Sequence, residues 1–199
     1  MFESPKRAFY RGATTRELPL IESDEFSAHL IALAKVSEAV WSREITDSII
    51  ATAEAHTYSV TAIAHALYEM TAPDTPTAED LAGAINTAAD RESSLFMSIY
   101  ASLTPQARML IEAIADEPTK HPMAGDYMSR HKLTNAATVR KSLVALVNSD
   151  HVAVNGNGLI NLTDPLLKRW LNSRWGKRHM ISGLPGKSDR FLQFDRSED

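Results

Sequence analysis

The sequence predicts a mainly α-helical fold, a small helical bundle followed by a second helical module that contains one short β-hairpin. Three observations carry this prediction. From Asp24 to about residue 101, apolar residues recur at steps of three and four, the period of helices with one buried face. Cap residues and prolines punctuate that pattern, at Ser42, Pro73, Thr77, Thr104 and Glu117-Pro118. One stretch differs in kind: Val152 to Leu162 alternates around two Asn-Gly pairs, a strong short-range hairpin signal.

The elements follow in order. Residues 1–23 show no sustained period and contain Pro5, Gly12 and Pro19, so they read as a junction segment, with Leu18 to Ile21 a short strand or the entry to the first helix. Phe26, Leu30, Leu33, Val36 and Val40 then predict a helix from Asp24. Ser42 is placed to cap a second, with Ile45, Ile49, Ile50 and Ala53 on one face. A third runs from about Tyr58 through Ile63 and Leu67 to Met70, and Pro73 and Pro76 stop it. Thr77-Ala-Glu-Asp80 has capping-box spacing, in which hydroxyl and carboxylate each satisfy an orphan backbone amide. One long helix then carries Leu81, Ile85, Ala88, Leu95, Ile99 and Tyr100. Residues 24–102 are expected to form an all-helical bundle.

Thr104-Pro105 opens the second module, a cap followed by proline at the first helical position. Leu110, Ile111 and Ile114 supply its buried stripe, and Glu117-Pro118 ends it. Gly125 to His131 reads as a short helix, and Asn135 caps the next, which carries Val139, Leu143, Leu146 and Val147. After the hairpin, Asp164-Pro165 starts a last helix with Leu166, Leu167, Trp170 and Leu171. Helix, short helix, helix, hairpin, helix is the order of a winged helix-turn-helix, here over residues 103–180. The remainder, 181–199, holds Gly183, Pro185 and Gly186 and is expected to be a flexible tail.

Composition narrows the chemistry. With 44% hydrophobic and 23% charged residues in 199, the chain has a globular balance rather than a disordered or fibrous one. The absence of cysteine excludes disulfides, zinc ribbons, iron–sulfur clusters and thiol catalysis. No apolar run approaches the roughly 20 residues of a membrane span, and Glu3, Lys6 and Arg7 follow Met1 where a secretory signal would turn apolar. A soluble cytoplasmic protein with no membrane partner is expected. The net charge of −4 is unevenly spread: residues 1–102 carry 7 Lys+Arg against 15 Asp+Glu, and residues 103–180 carry 11 against 6. A basic module behind an acidic one points to different partners, a polyanion among them.

The candidate nucleic-acid contacts lie at the start of the third helix of that module. Thr134, Asn135 and Thr138 are the types that reach phosphates or base edges, and Arg140 and Lys141 add charge. The partner is therefore double-stranded DNA or, on the same helix face, a protein. The wing tip, Asn155 to Gly158, carries no positive charge, which weakens the case for DNA. Gly183-Leu-Pro-Gly-Lys-Ser188 ends like a phosphate-binding loop, but Ile181 stands where the pattern needs glycine, and no apolar strand precedes it. The seven histidines show no metal-ligand spacing, and no nucleophile elbow is present. Asp24-Glu25 and Glu79-Asp80 sit in first helical turns, where the helix dipole explains them. No catalytic or metal-binding residue is predicted.

Several short motifs, in shared order, resemble one family. Pro5-Lys-Arg-Ala-Phe-Tyr-Arg11, Asp24-Glu-Phe26, Leu103-Thr-Pro-Gln-Ala-Arg108 and Asp164-Pro-Leu-Leu-Lys-Arg-Trp-Leu171 are similar to the region after the nucleotide-binding core of archaeal-type, STAND-like AAA+ ATPases. The resemblance covers roughly residues 3–172. It implies that the bundle is an ATPase lid followed by a winged helix. It also implies nucleotide-proximal positions at His56 and Arg11. The family's Gly-His-Pro signature reads Ala55-His56-Thr57 here, and its phosphate-binding loop and Walker B strand are not in this sequence. The expectation is a non-catalytic lid and winged-helix module, truncated or stand-alone. ATP and magnesium enter only if the core is supplied elsewhere. The alternative is a winged-helix transcription regulator whose helical part dimerises or senses a ligand.

Overall fold

The computed structural model describes residues 21–181, with side chains described to residue 173. The elements are α1 (Ser23–Val36), α2 (Arg43–Thr52), α3 (Thr57–Thr71), α4 (Ala78–Arg91), α5 (Ser93–Ser102), α6 (Pro105–Asp116), α7 (Gly125–Arg130), α8 (Ala136–Asn148), β1 (Val152–Val154), β2 (Ile160–Leu162) and α9 (Pro165–Ile181). The predicted caps make the starts of α2, α4, α6, α8 and α9. Ser42 accepts from the Ile45 amide, Thr104 from Ala107 and Asn135 from Thr138. Thr77 and Asp80 form the full capping box. Asp164 Oδ1 accepts from the amides of Leu166 and Leu167.

Helix ends are another matter. Four helices close with a non-glycine residue in left-handed backbone: Glu38 (φ 61°), Glu54 (48°), Lys132 (55°) and Asp150 (57°). After each, the next amide reaches back to a carbonyl five residues earlier: Ala39 to Ala34, Ala55 to Ile50, Leu133 to Met128 and His151 to Leu146, at 2.8–3.0 Å. These are the hydrogen bonds of the Schellman motif, which glycine usually terminates. Left-handed backbone costs an L-residue about 1–2 kcal/mol. The Glu38 side chain is exposed, with no bond or ion pair among the described residues. Glu38→Gly is therefore expected to stabilise the fold by about 1 kcal/mol in urea unfolding, and a destabilised variant would contradict the strain argument.

Three expectations are corrected by the packing. Helix α1 stops at Val36, so Val40 lies outside it, and Leu33, Val36 and Val40 all stay exposed. Its buried stripe is Phe26, Ser27, Leu30 and Ala34, while Ala39 and Trp41 turn inward after the helix. The expected long helix from Leu81 to Tyr100 is two, parted at Glu92. This break turns Phe96 inward against the Trp170 ring, with centroids 5.8 Å apart, and leaves Leu95 exposed. In α8 the buried face is Val139, Ser142 and Leu146, and Val147 stands toward solvent.

The hairpin pairs β1 and β2 antiparallel, Val152 opposite Leu162 and Val154 opposite Ile160. Thr119 adds a further rung on the other side of β2, exchanging two backbone hydrogen bonds with Ile160 at 2.9 and 3.3 Å. Gly158 supplies the left-handed residue of the wing turn, and Asn155 Oδ1 accepts from the Leu159 amide. Helices α3 and α4 pack together in the bundle, as do α6 and α8 in the second half. Helix α9 crosses between them and rests on α4, α5 and α6. Polar ties lie along this seam: Glu54 accepts from Asn161 and Lys168, and Asn86 accepts twice from Arg169.

Candidate nucleic-acid interface

The α7–turn–α8 segment is fixed from beneath. Tyr127 is buried and donates its hydroxyl proton to the carbonyl of Glu117 at 3.1 Å. That burial pushes its phenol well above the ordinary range. The Glu117 carboxylate receives the Arg130 guanidinium at 2.7 and 3.2 Å and the His131 ring Nε2 at 3.0 Å. Hydrogen bonds from Arg130 first, and from His131 second, hold Glu117 below its ordinary pKa of 4.5. A carboxylate with a depressed folded-state pKa adds stability above its unfolded value, and that stability is lost as pH falls through the folded value. Between pH 7 and pH 3, wild-type protein should therefore lose more urea resistance than Glu117→Gln. Equal losses would remove this network from the acid sensitivity.

With α7 held, the Lys132 turn aims α8 outward. Val139, Ser142 and Leu146 are buried, so the opposite line of the helix is Ala137, Lys141, Val144 and Asn148, at steps of four, three and four. Arg140 borders this line. Arg140 and Lys141 are exposed, and neither has a hydrogen bond or ion pair among the described residues.

The other predicted positions separate by role. Thr134 is exposed. Asn135 is exposed too, but its Oδ1 accepts from the Thr138 amide at 2.9 Å, which leaves its amide NH2 to face a partner. Thr138 is half-buried on the flank. His56 is remote from this face and caps α3: its Nδ1 lies 3.4 Å from the Ser59 amide and 3.0 Å from the Ser59 hydroxyl. Arg11 and the Gly183 to Ser188 segment lie outside the described residues, as does nearly all of the proposed junction and tail.

The basic side chains of the second half sort by direction. Arg108 donates to the last carbonyls of α5, Lys168 pairs with Glu54 and Arg169 bonds Asn86, all toward the bundle. Lys120, Lys132, Arg140 and Lys141 are exposed and have no such partners among the described residues. Lys120 and Lys132 were not singled out by sequence. Their only signal there was membership of the basic stretch.

Among the described residues, no group of His, Asp and Glu is placed to hold a metal, and no helix is long and apolar enough to cross a membrane. Residues 94–173 match the family model of a probable winged helix domain, a stretch running from α5 into α9. The mainly helical architecture with its two-stranded hairpin has the form of that domain. No curated protein and no solved structure matches the chain. The family match does not extend to residues 1–93, which hold most of the bundle.

Proposed function

We propose that the winged helix binds duplex DNA, with α8 in the major groove and the β1–β2 hairpin beside the phosphate backbone. One observation carries this reading. Among the described residues, the basic side chains of the second half that no protein group engages are Lys120, in the loop before α7, and Lys132, Arg140 and Lys141, at the α7–α8 turn and on the open side of α8. Cations left to solvent beside an outward helix are the electrostatic footprint of polyanion binding.

A second reading, a protein partner on the same face, has its own support. The wing tip is uncharged, and Val144 and Val154 are each more than half exposed. The reading of residues 24–102 as an AAA+ lid rests on the sequence resemblance alone. Under it, ATP and magnesium would be held by a core supplied elsewhere.

Anisotropy of a labelled duplex across a salt series tests the main reading. Two to four phosphate contacts give a slope of log Kobs against log salt of roughly −2 to −4. Absence of binding at 50 mM salt would transfer the face to a protein partner.

A further inference from the structure

Resting on the DNA-binding reading, we propose that α8 reads thymine methyl groups, so that its preferred duplex carries thymines in the major groove opposite Ala137 and Val144. The outward line of α8 alternates in chemistry: Ala137, Lys141, Val144 and Asn148. Lys141 is flanked, one turn away on each side, by a small apolar side chain, and Val144 is 54% exposed. More than half of that valine is left to water, which is unfavourable for an apolar side chain. In the major groove the one apolar feature on a base edge is the C5-methyl of thymine, and short apolar side chains are its natural contacts.

The polar alternatives on this helix are restricted. Asn135 has its acceptor oxygen committed to the Thr138 amide, so it lacks the free donor–acceptor pair that reads adenine bidentately. Lys141 and the neighbouring Arg140 supply charge, and the methyl contacts on either side of Lys141 supply the register. Ala137 and Val144 are thus specificity elements within a site whose affinity comes from its cations.

The test compares two duplexes of one sequence, one with thymine and one with deoxyuridine at every thymine position, so that only the C5-methyl groups differ. Wild-type protein is expected to bind the thymine duplex more tightly, by about fourfold for each methyl removed from the contact. In the variant A137S/V144S, whose changes are both exposed, that preference should disappear because affinity for the thymine duplex falls to that for the deoxyuridine duplex, while the salt slope set by the cations remains. Equal affinity of wild type for the two duplexes overturns this inference and leaves DNA binding intact. A preference that survives in A137S/V144S also overturns it, since the methyls would be sensed elsewhere. Failure to bind either duplex overturns the DNA-binding reading and this inference together.

Discussion

Trp170→Ala is expected to destabilise the protein by about 3–5 kcal/mol, a large share of the roughly 5–15 kcal/mol that holds most domains folded. Trp170 is 4% exposed and sits where the two halves meet. Its ring faces Phe96 at 5.8 Å and Tyr100 edge-on at 6.2 Å, both from α5. The helix that carries it, α9, also rests on α4 and α6. Truncation therefore removes a large apolar surface and leaves a void between α9 and α5 beside Phe96 and Tyr100. Because that void touches both halves, they should lose stability together. Urea unfolding followed by far-UV circular dichroism and by fluorescence of the other tryptophans should give coincident curves shifted to lower urea. A shift worth under 1 kcal/mol, or two separated transitions with only one displaced, would contradict the shared core.

Arg140→Ala/Lys141→Ala is expected to act on binding and leave folding unchanged. Both side chains are exposed and unpaired among the described residues, so stability should stay within about 0.5 kcal/mol of wild type. If each neutralises one phosphate, the salt slope should shrink by roughly one to two, and affinity near 0.1 M salt should fall by about 10- to 100-fold. The loss should be similar for unrelated duplexes, because phosphate contacts carry no sequence information. An unchanged slope with reduced affinity would mean that the pair acts other than by releasing counterions.

How much of this was legible beforehand depended on where local chemistry decides the structure. Helix starts were readable because a side chain makes them: Ser42, Thr77 with Asp80, Thr104, Asn135 and Asp164 each accept a backbone amide proton as their spacing implied. Proline marked the ends of α3 and α6, but four other ends carried no such mark, because Glu38, Glu54, Lys132 and Asp150 occupy the left-handed position that glycine ordinarily marks. The break at Glu92 has no glycine or proline to announce it. Burial of Phe96 against Trp170, more than seventy residues away, accompanies it. Thr119 joins the sheet as a single rung, too short for any periodic signal.

The candidate site was half legible for a related reason. Residue type and spacing identified Arg140 and Lys141. Which cations remain unengaged depends on where the acidic groups fall in space. Glu117 takes Arg130 and passes over Lys132, and Glu54 takes Lys168 from across the seam. Asn135 shows the same limit: as a residue type it suits both a cap and a base contact, and the folded backbone gives its oxygen to the cap.

The claim that the open face of α8 is the nucleic-acid interface is tested most directly by titrating a 15N-labelled sample of the full chain with duplex DNA. The amides moving first and furthest are expected to belong to residues 132–148, with smaller shifts through the wing at 152–160. Shifts concentrated on α1 to α3, with α8 silent, would contradict it.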